Sequence, residues 1–437
     1  MSAILPGKPW RNWGRSAASA PAFETRPASV DDVIAAVRFA RERGLTVKPI
    51  GAGHSFTAIG ATDGVRIDPA GLSGVLGVDG ALVTLAAGTF LHQLPALFAP
   101  HRLALQNMGD IDRQSISGAT STGTHGTGAA FGGIATRIRA ATLVTADAQV
   151  LRVSATENPE LLRAVALGLG ALGVLVDVTI EAVPEFALHA LERPAPVETV
   201  LQEWPQRIAE ADHFEFYVWP HSDRASTKTN TRLPADAPLK PLGPVREAVE
   251  DGFLDNEVFG LLIGIGRLLP RAVPAINRLA TNVSGDREFS DHWAKVFTSP
   301  RRVRFREMEY AIPVEAVPDA VRAVRTLIEA RGWRIEFPIE VRAAAADDLW
   351  LSTAAGRASG YIAVHRAVHA DPAEYFREVE AIMVGHGGRP HWGKMHTRDA
   401  DYLRTVYPRF DDFIAVRNRL DPERVFANPY LERVLGA

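Results

Sequence analysis

Glu340 and Arg342 stand two residues apart near the end of a run, 333–342, that reads as a strand. Side chains two apart on a strand point to one side, so a carboxylate and a guanidinium could meet a hydroxylated ligand together. Taken alone, such a pair is more often a surface salt bridge. Three glycine-rich segments offer other chemistry. In Pro49-Ile50-Gly51-Ala52-Gly53-His54-Ser55-Phe56, two glycines follow a predicted strand over 45–50. They would let backbone N–H groups approach a phosphate closely. Phe56 fills the third glycine position of a dinucleotide fingerprint, so the segment is not one.

The second segment runs from Gln114 to Gly128 and consists almost wholly of small residues, among them Ser115, Gly118, Thr122, Gly123, Thr124, His125 and Gly126. Such a run fills a core poorly. It suits a loop whose N–H groups and hydroxyls wrap a large flat ligand. The third, Gly168-Leu169-Gly170-Ala171-Leu172-Gly173, matches G-x-G-x-x-G, but it follows a predicted helix and precedes a predicted strand. That order is the reverse of the nicotinamide fold's, so a nicotinamide site is rejected. His365 and His369 have the spacing of helical metal ligands, yet 361–364 reads as strand. His386, His391 and His396 lack an accompanying glutamate motif, and no metal is expected.

Around these segments the chain has 437 residues, too many for one ordinary core, so two domains are expected. A net charge of −3 supplies no basic field for nucleic acid. With no cysteine, disulfides, thiolate ligands and a cysteine nucleophile are excluded. Residues 1–15 hold no apolar core of signal-peptide length, and a cytoplasmic protein is expected. The most apolar stretch, 258–269, is broken by Arg267 and falls far short of the ~20 residues of a spanning helix. It reads as a packed helix in preference to a membrane-contact patch.

The first half reads as α+β. Ser29 can cap a helix with the stripe Val30, Val33, Ile34, Val37 and Ala40, ended by Gly44. Strands follow near 64–68 and 82–86, a hairpin over 139–153, a helix over 159–167 and a strand over 174–182. Beyond Glu185, prolines between 234 and 244 mark a loop, and 244–279 reads as helical. Helices at 318–331 and 372–385 alternate with strands at 333–342 and 361–364, as in a separate α/β cap. The arginine-rich tail 402–435 is again helical.

The motifs Gly51-Ala52-Gly53-His54-Ser55, Ser121 to Gly128, Glu340-Val341-Arg342, His391-Trp392-Gly393-Lys394 and the tail Phe426-Ala427-Asn428-Pro429-Tyr430-Leu431 occur in one order. In that order they resemble the aldonolactone oxidoreductases of the vanillyl-alcohol-oxidase type of FAD flavoproteins. The resemblance implies an α+β, two-domain FAD-binding fold. Residues 1–184 and 399–437 would bind FAD, and 185–398 would form the cap. It implies cofactor contacts at Gly51, Ala52, Gly53, His54, Ser55, Ser115, Gly118, Thr122, Gly123, Thr124, His125, Gly126, Gly173, Val174, His391 and Lys394. His54 matches the histidine joined to the flavin in similar enzymes, and a neutral imidazole nitrogen can act as that nucleophile. Glu340, Arg342, Lys394 and Ser115 would be catalytic.

The implied reaction is oxidation of the C2 hydroxyl of a sugar 1,4-lactone, with oxygen, a quinone or a cytochrome as acceptor. A quinone would bring peripheral membrane contact. An alditol oxidase acting on linear polyols is the neighbouring alternative, and a flavin-binding protein without turnover is the alternative of another class.

Overall fold

The computed structural model describes residues 2–243, 259–283, 285–299 and 303–437. Ser29 caps the helix Val30–Arg41 by accepting from the Asp32 N–H at 3.2 Å, and Val33, Val37 and Ala40 are buried beneath it. This stripe packs with Val47, Val65 and Ile67 of a four-stranded sheet. A five-stranded antiparallel sheet follows. In it Ile138–Val144 pairs with the edge strand Val150–Ser154 as the expected hairpin, and with the central strand Val174–Glu181 on the other side.

The largest sheet has eight strands, and every neighbouring pair in it is antiparallel. Four matter for the site: His213–Val218, Ile339–Ala344, Ser359–Ala367 and Phe305–Pro313, adjacent in that order. Alternate residues of each strand — Phe214 and Phe216, Ile339 and Val341, Ile362 and Val364, Met308 and Tyr310 — form one core with the helix Val317–Ala330. That helix buries Val317, Val321, Val324 and Ile328, each contributing ~1.5–3 kcal/mol by leaving water. The pleat forces the intervening residues to the opposite face. They meet the first half of the chain there.

The C-terminal segment returns to that first half. Helices Ala400–Val406, Phe410–Leu420 and Pro429–Leu435 share a core with Leu91, Phe98 and Leu167. The Asn428 amide donates to the carbonyls of Ala58, Ile59 and Ala61.

Three expectations shift. The strand expected over 333–342 starts only at Ile339, because Pro338 has no N–H to pair. The run 114–128 is not all loop, since Ile116–Thr122 is helical, with Ser115 as its cap and Gly123 ending it at φ +80°. The helical expectation over 244–279 becomes Phe259–Leu268 and Val273–Val283, parted at Pro270, and its portion 244–258 lies outside the described residues.

Candidate active site

The strand Val47–Pro49 delivers the chain to Gly51-Ala52-Gly53, which crosses beneath the start of the helix Ile116–Thr122. The crossing is too close for side chains. A Cβ on Gly51 would sit 2.4 Å from Ser115 Oγ, and Gly53 has φ +67°. The result is an open groove walled by residues 51–55, by Ser115, Ser117, Gly118, Ser121 and Thr122, and by Leu169, Gly170 and Gly173. Its floor is backbone and its walls are small hydroxyl residues, which fits the extended, phosphate-bearing FAD.

Lys48 is buried at the groove's edge and donates to the carbonyls of Gly170 (3.2 Å) and Phe426 (3.0 Å). Burial pushes its ammonium down to about 7, against the pull of Asp421. His54 lines the groove with its ring stacked on Trp13 at 5.5 Å. Burial, with the charges of Lys394 and Arg113, lowers it to about 4, so the imidazole is neutral at physiological pH.

The polar face of the large sheet carries the rest. Strand register sets Glu307 opposite His365, Tyr217 opposite Glu340 and Arg342 opposite Tyr361. Arg342 donates from Nε to Glu215 at 2.9 Å. Its Nη2 meets both Glu340 (2.5 Å) and Asp110 as ion pairs, off the angle of a hydrogen bond to either. One guanidinium is thus divided among three carboxylates. Glu340 is pushed up to about 7 by burial, Arg342's offset being reduced by Asp110 and Glu215. Arg342 itself is buried, which alone would lower it, but the carboxylates hold it well above its ordinary value.

Beside this lies a second pair, Lys394 with Glu307. Burial would raise Glu307, yet Lys394 and His365 bring it down to about 2. The His365 Nδ1–H donates to the Pro338 carbonyl at 3.1 Å, which leaves Nε2 facing Glu307 (3.7 Å) and Glu340 (3.9 Å). Lys394 Nζ also stands 5.3 Å above the Phe56 ring, next to the groove's glycine segment.

The structure therefore brings Glu340, Arg342 and Lys394 onto one face, and places His54 and Ser115 in the groove. Ser115 is the helix cap, accepting from the Gly118 N–H at 3.3 Å. Of the other expected cofactor residues, Gly51 to Ser55, Gly118, Thr122 and Gly173 line the groove. Val174 is a buried core residue, and a Cβ on Gly126 would sit 2.0 Å from the Met108 carbonyl.

His125 and His391 converge on Glu309, with ligand atoms within 4.8 Å of one another, a spacing that could hold a metal. The His391 tautomer argues against one. His391 Nδ1 accepts from the Gly393 N–H at 3.0 Å, so its proton sits on Nε2. His125 donates from Nδ1 to the Gly126 carbonyl (2.9 Å) and turns Nε2 to Glu309 at 3.4 Å. Burial raises Glu309, but His125 holds it well below the usual carboxylate range.

Sequence reasoning passed over Asp110, Glu215, Tyr217, Glu307 and Glu309. The signal for the last two was present: in Phe305-Arg306-Glu307-Met308-Glu309-Tyr310 acids alternate with apolar residues.

The α+β fold, the glycine-floored groove and the charged face beside it define an FAD-binding oxidoreductase. Residues 21–154 match the FAD binding domain family. Residues 178–434 match the D-arabinono-1,4-lactone oxidase family. The chain belongs to that family, the aldonolactone oxidoreductases, and is an FAD-dependent oxidoreductase acting on CH–OH groups. It is 44% identical to an L-gulono-1,4-lactone dehydrogenase of Mycobacterium tuberculosis, covering 98% of this chain and 99% of that one. It is 33% identical to an L-gulonolactone oxidase of Bos taurus, covering 98% of each. Its fold matches the crystal structure of cholesterol oxidase from B. sterolicum with a TM-score of 0.84 at 19% identity, over 99% of this chain and 97% of that one. Among the described residues no helix is long and apolar enough to cross a membrane.

Proposed function

We propose that this enzyme oxidises the C2 hydroxyl of a sugar 1,4-lactone of the L-gulono or D-arabinono type. The observation that carries the reading is the polar sheet face, where Glu340, Arg342, His365 and the Lys394–Glu307 pair converge. When bound, FAD accepts the hydride from the carbinol carbon. Arg342 and Lys394 hold the substrate's oxygens by charge-assisted hydrogen bonds and fix which C–H bond is presented. Glu340, raised to about 7, takes the hydroxyl proton at Oε2 and can return it near neutral pH. Lys394 also places a positive charge where negative charge develops.

Cofactor contacts are assigned to residues 51–55, Ser115, Gly118, Thr122 and Gly173. His54, neutral and at the groove wall, is the residue for covalent attachment. Residues 1–184 with 399–437 form the flavin unit and 185–398 the cap, supported by the tail's hydrogen bonds to Ala58, Ile59 and Ala61. The acceptor is oxygen, or a quinone or cytochrome, and the setting is cytoplasmic.

The test is anaerobic titration of the purified flavoprotein with L-gulono-1,4-lactone, D-arabinono-1,4-lactone and linear polyols, following flavin absorbance. Bleaching by a lactone is expected. Bleaching by polyols alone makes it an alditol oxidase, and none by either makes it a binding protein. Yellow colour should stay with acid-precipitated wild type and be lost from His54→Ala.

A further inference from the structure

The reaction leaves unused an apolar hairpin on the cap. Helix Phe259–Leu268 turns through Pro270–Ala272 into helix Val273–Val283. The second helix is rooted in the protein. The buried Asn277 amide donates to the carbonyls of Pro220 and Ile335 at 2.9 Å each, and Thr281 bonds Ser222 at 2.9 Å. Gly266 allows the first helix to lie close, since a Cβ there would be 3.0 Å from Val273.

What the hairpin turns outward is apolar. Leu268 is 80% exposed, Leu269 62%, Leu279 60% and Ile265 37%. Ile265, Leu268 and Leu269 have the i, i+3, i+4 spacing of one helix face. Among the described residues, four of the eight exposed large hydrophobic residues thus lie on this one hairpin, where scattered single ones would be ordinary. The charges within the hairpin itself have one sign, with acids only beyond it, at Glu257 and Asp286. From 259 to 285 the chain carries Arg267, Arg271 and Arg278, all exposed, and no acidic residue, in a protein whose net charge is −3.

We propose that this hairpin docks the enzyme on an anionic lipid surface, its leucines entering the headgroup–acyl boundary and its arginines pairing with lipid phosphates. An apolar tip collared by arginine is the pattern of an interfacial anchor, and it is too short to span. The inference does not depend on which alcohol the enzyme oxidises.

The test is co-sedimentation of the holoenzyme with phosphatidylcholine vesicles, with and without phosphatidylglycerol. Wild type sediments with the anionic vesicles and far less with the neutral ones. L268E/L269E stays in the supernatant while keeping its flavin absorbance and its unfolding temperature. Arg271→Gln weakens binding about fivefold, the worth of one surface arginine. L5E, at an exposed leucine elsewhere, sediments as wild type. The proposal is overturned if wild type ignores anionic vesicles, or if L268E/L269E binds as wild type does. It is also overturned if lipid-free sedimentation velocity shows a dimer that L268E/L269E dissolves, since the patch then covers a second copy.

Discussion

At the scale of the residue, Glu340 behaves as it does because of its company. Arg342 lies on the same strand, Glu215 and Tyr217 on the neighbour to one side, and His365 and Glu307 on the two strands to the other side. Lys394 and Asp110 approach from outside the four strands. Asp110 competes for the guanidinium that would otherwise keep Glu340 ionised, and Tyr217 bonds Asp110 at 3.4 Å. Asp110→Asn removes a like charge and leaves Arg342 more fully to Glu340. The carboxyl then falls from about 7, and the acid limb of kcat/KM moves to lower pH. An unmoved limb would show that another group sets it. Glu340→Gln removes the proton acceptor and lowers kcat by ~10²–10⁴, with flavin content unchanged. A two-residue period was enough to put Glu340 and Arg342 on one face, and the family resemblance to single them out from an ordinary surface pair. Asp110 was not, because it meets that pair from more than two hundred residues away and no local pattern marks it.

At the scale of the element, legibility followed whether one face of the element is apolar. The helix Val30–Arg41 announced itself by a cap, a stripe and a terminal glycine, and the hairpin around 145–149 by strands flanking a turn. The eleven-residue strands Phe186–Pro196 and Arg224–Pro234 gave no such signal. Ser226 to Asn230 is all polar, and Pro194 and Pro196 argue against a strand, so only their mutual register reveals them. The glycine turn was legible, but not the reason for its first glycine, which is the helix cap crossing over it. Gly51→Ala drives a Cβ to 2.4 Å from Ser115 Oγ, a hydroxyl held by the Gly118 N–H. The turn or the helix start must shift, and both wall the groove. Flavin content of the purified variant should fall, and Gly51→Ala/Ser115→Ala should recover part of it. Full flavin content in the single variant would show that the crossing has slack.

At the scale of the whole molecule, the two halves are joined through buried polar groups, and this makes the assembly sensitive to acid. His213 is buried between them. It donates from Nδ1 to the Thr127 carbonyl at 2.8 Å, and its Nε2 faces Arg232 at 3.4 Å. Burial lowers it to about 4, as it does His391, and it lowers His396 to about 3. Each is neutral in the fold, whereas in the unfolded chain it titrates near its ordinary value of 6.5. Between pH 6.5 and about 4 the unfolded chain therefore binds more protons, and stability falls as pH falls. The slope reaches ~1.4 kcal/mol per pH unit for each histidine. Glu340 acts in the opposite sense: raised to about 7, it favours the fold as it takes up a proton. With His54, likewise lowered to about 4, four histidines stand against Glu340 and leave a net loss, so the unfolding temperature should drop steadily from pH 6.5 to 4.5. His213→Asn keeps a donor for Thr127 without a group to titrate. It should flatten that dependence by about one proton's worth, ~1.4 kcal/mol per pH unit. Parallel curves for variant and wild type would mean that His213 is already charged in the fold, and that the joint between the halves is wetter than its burial implies.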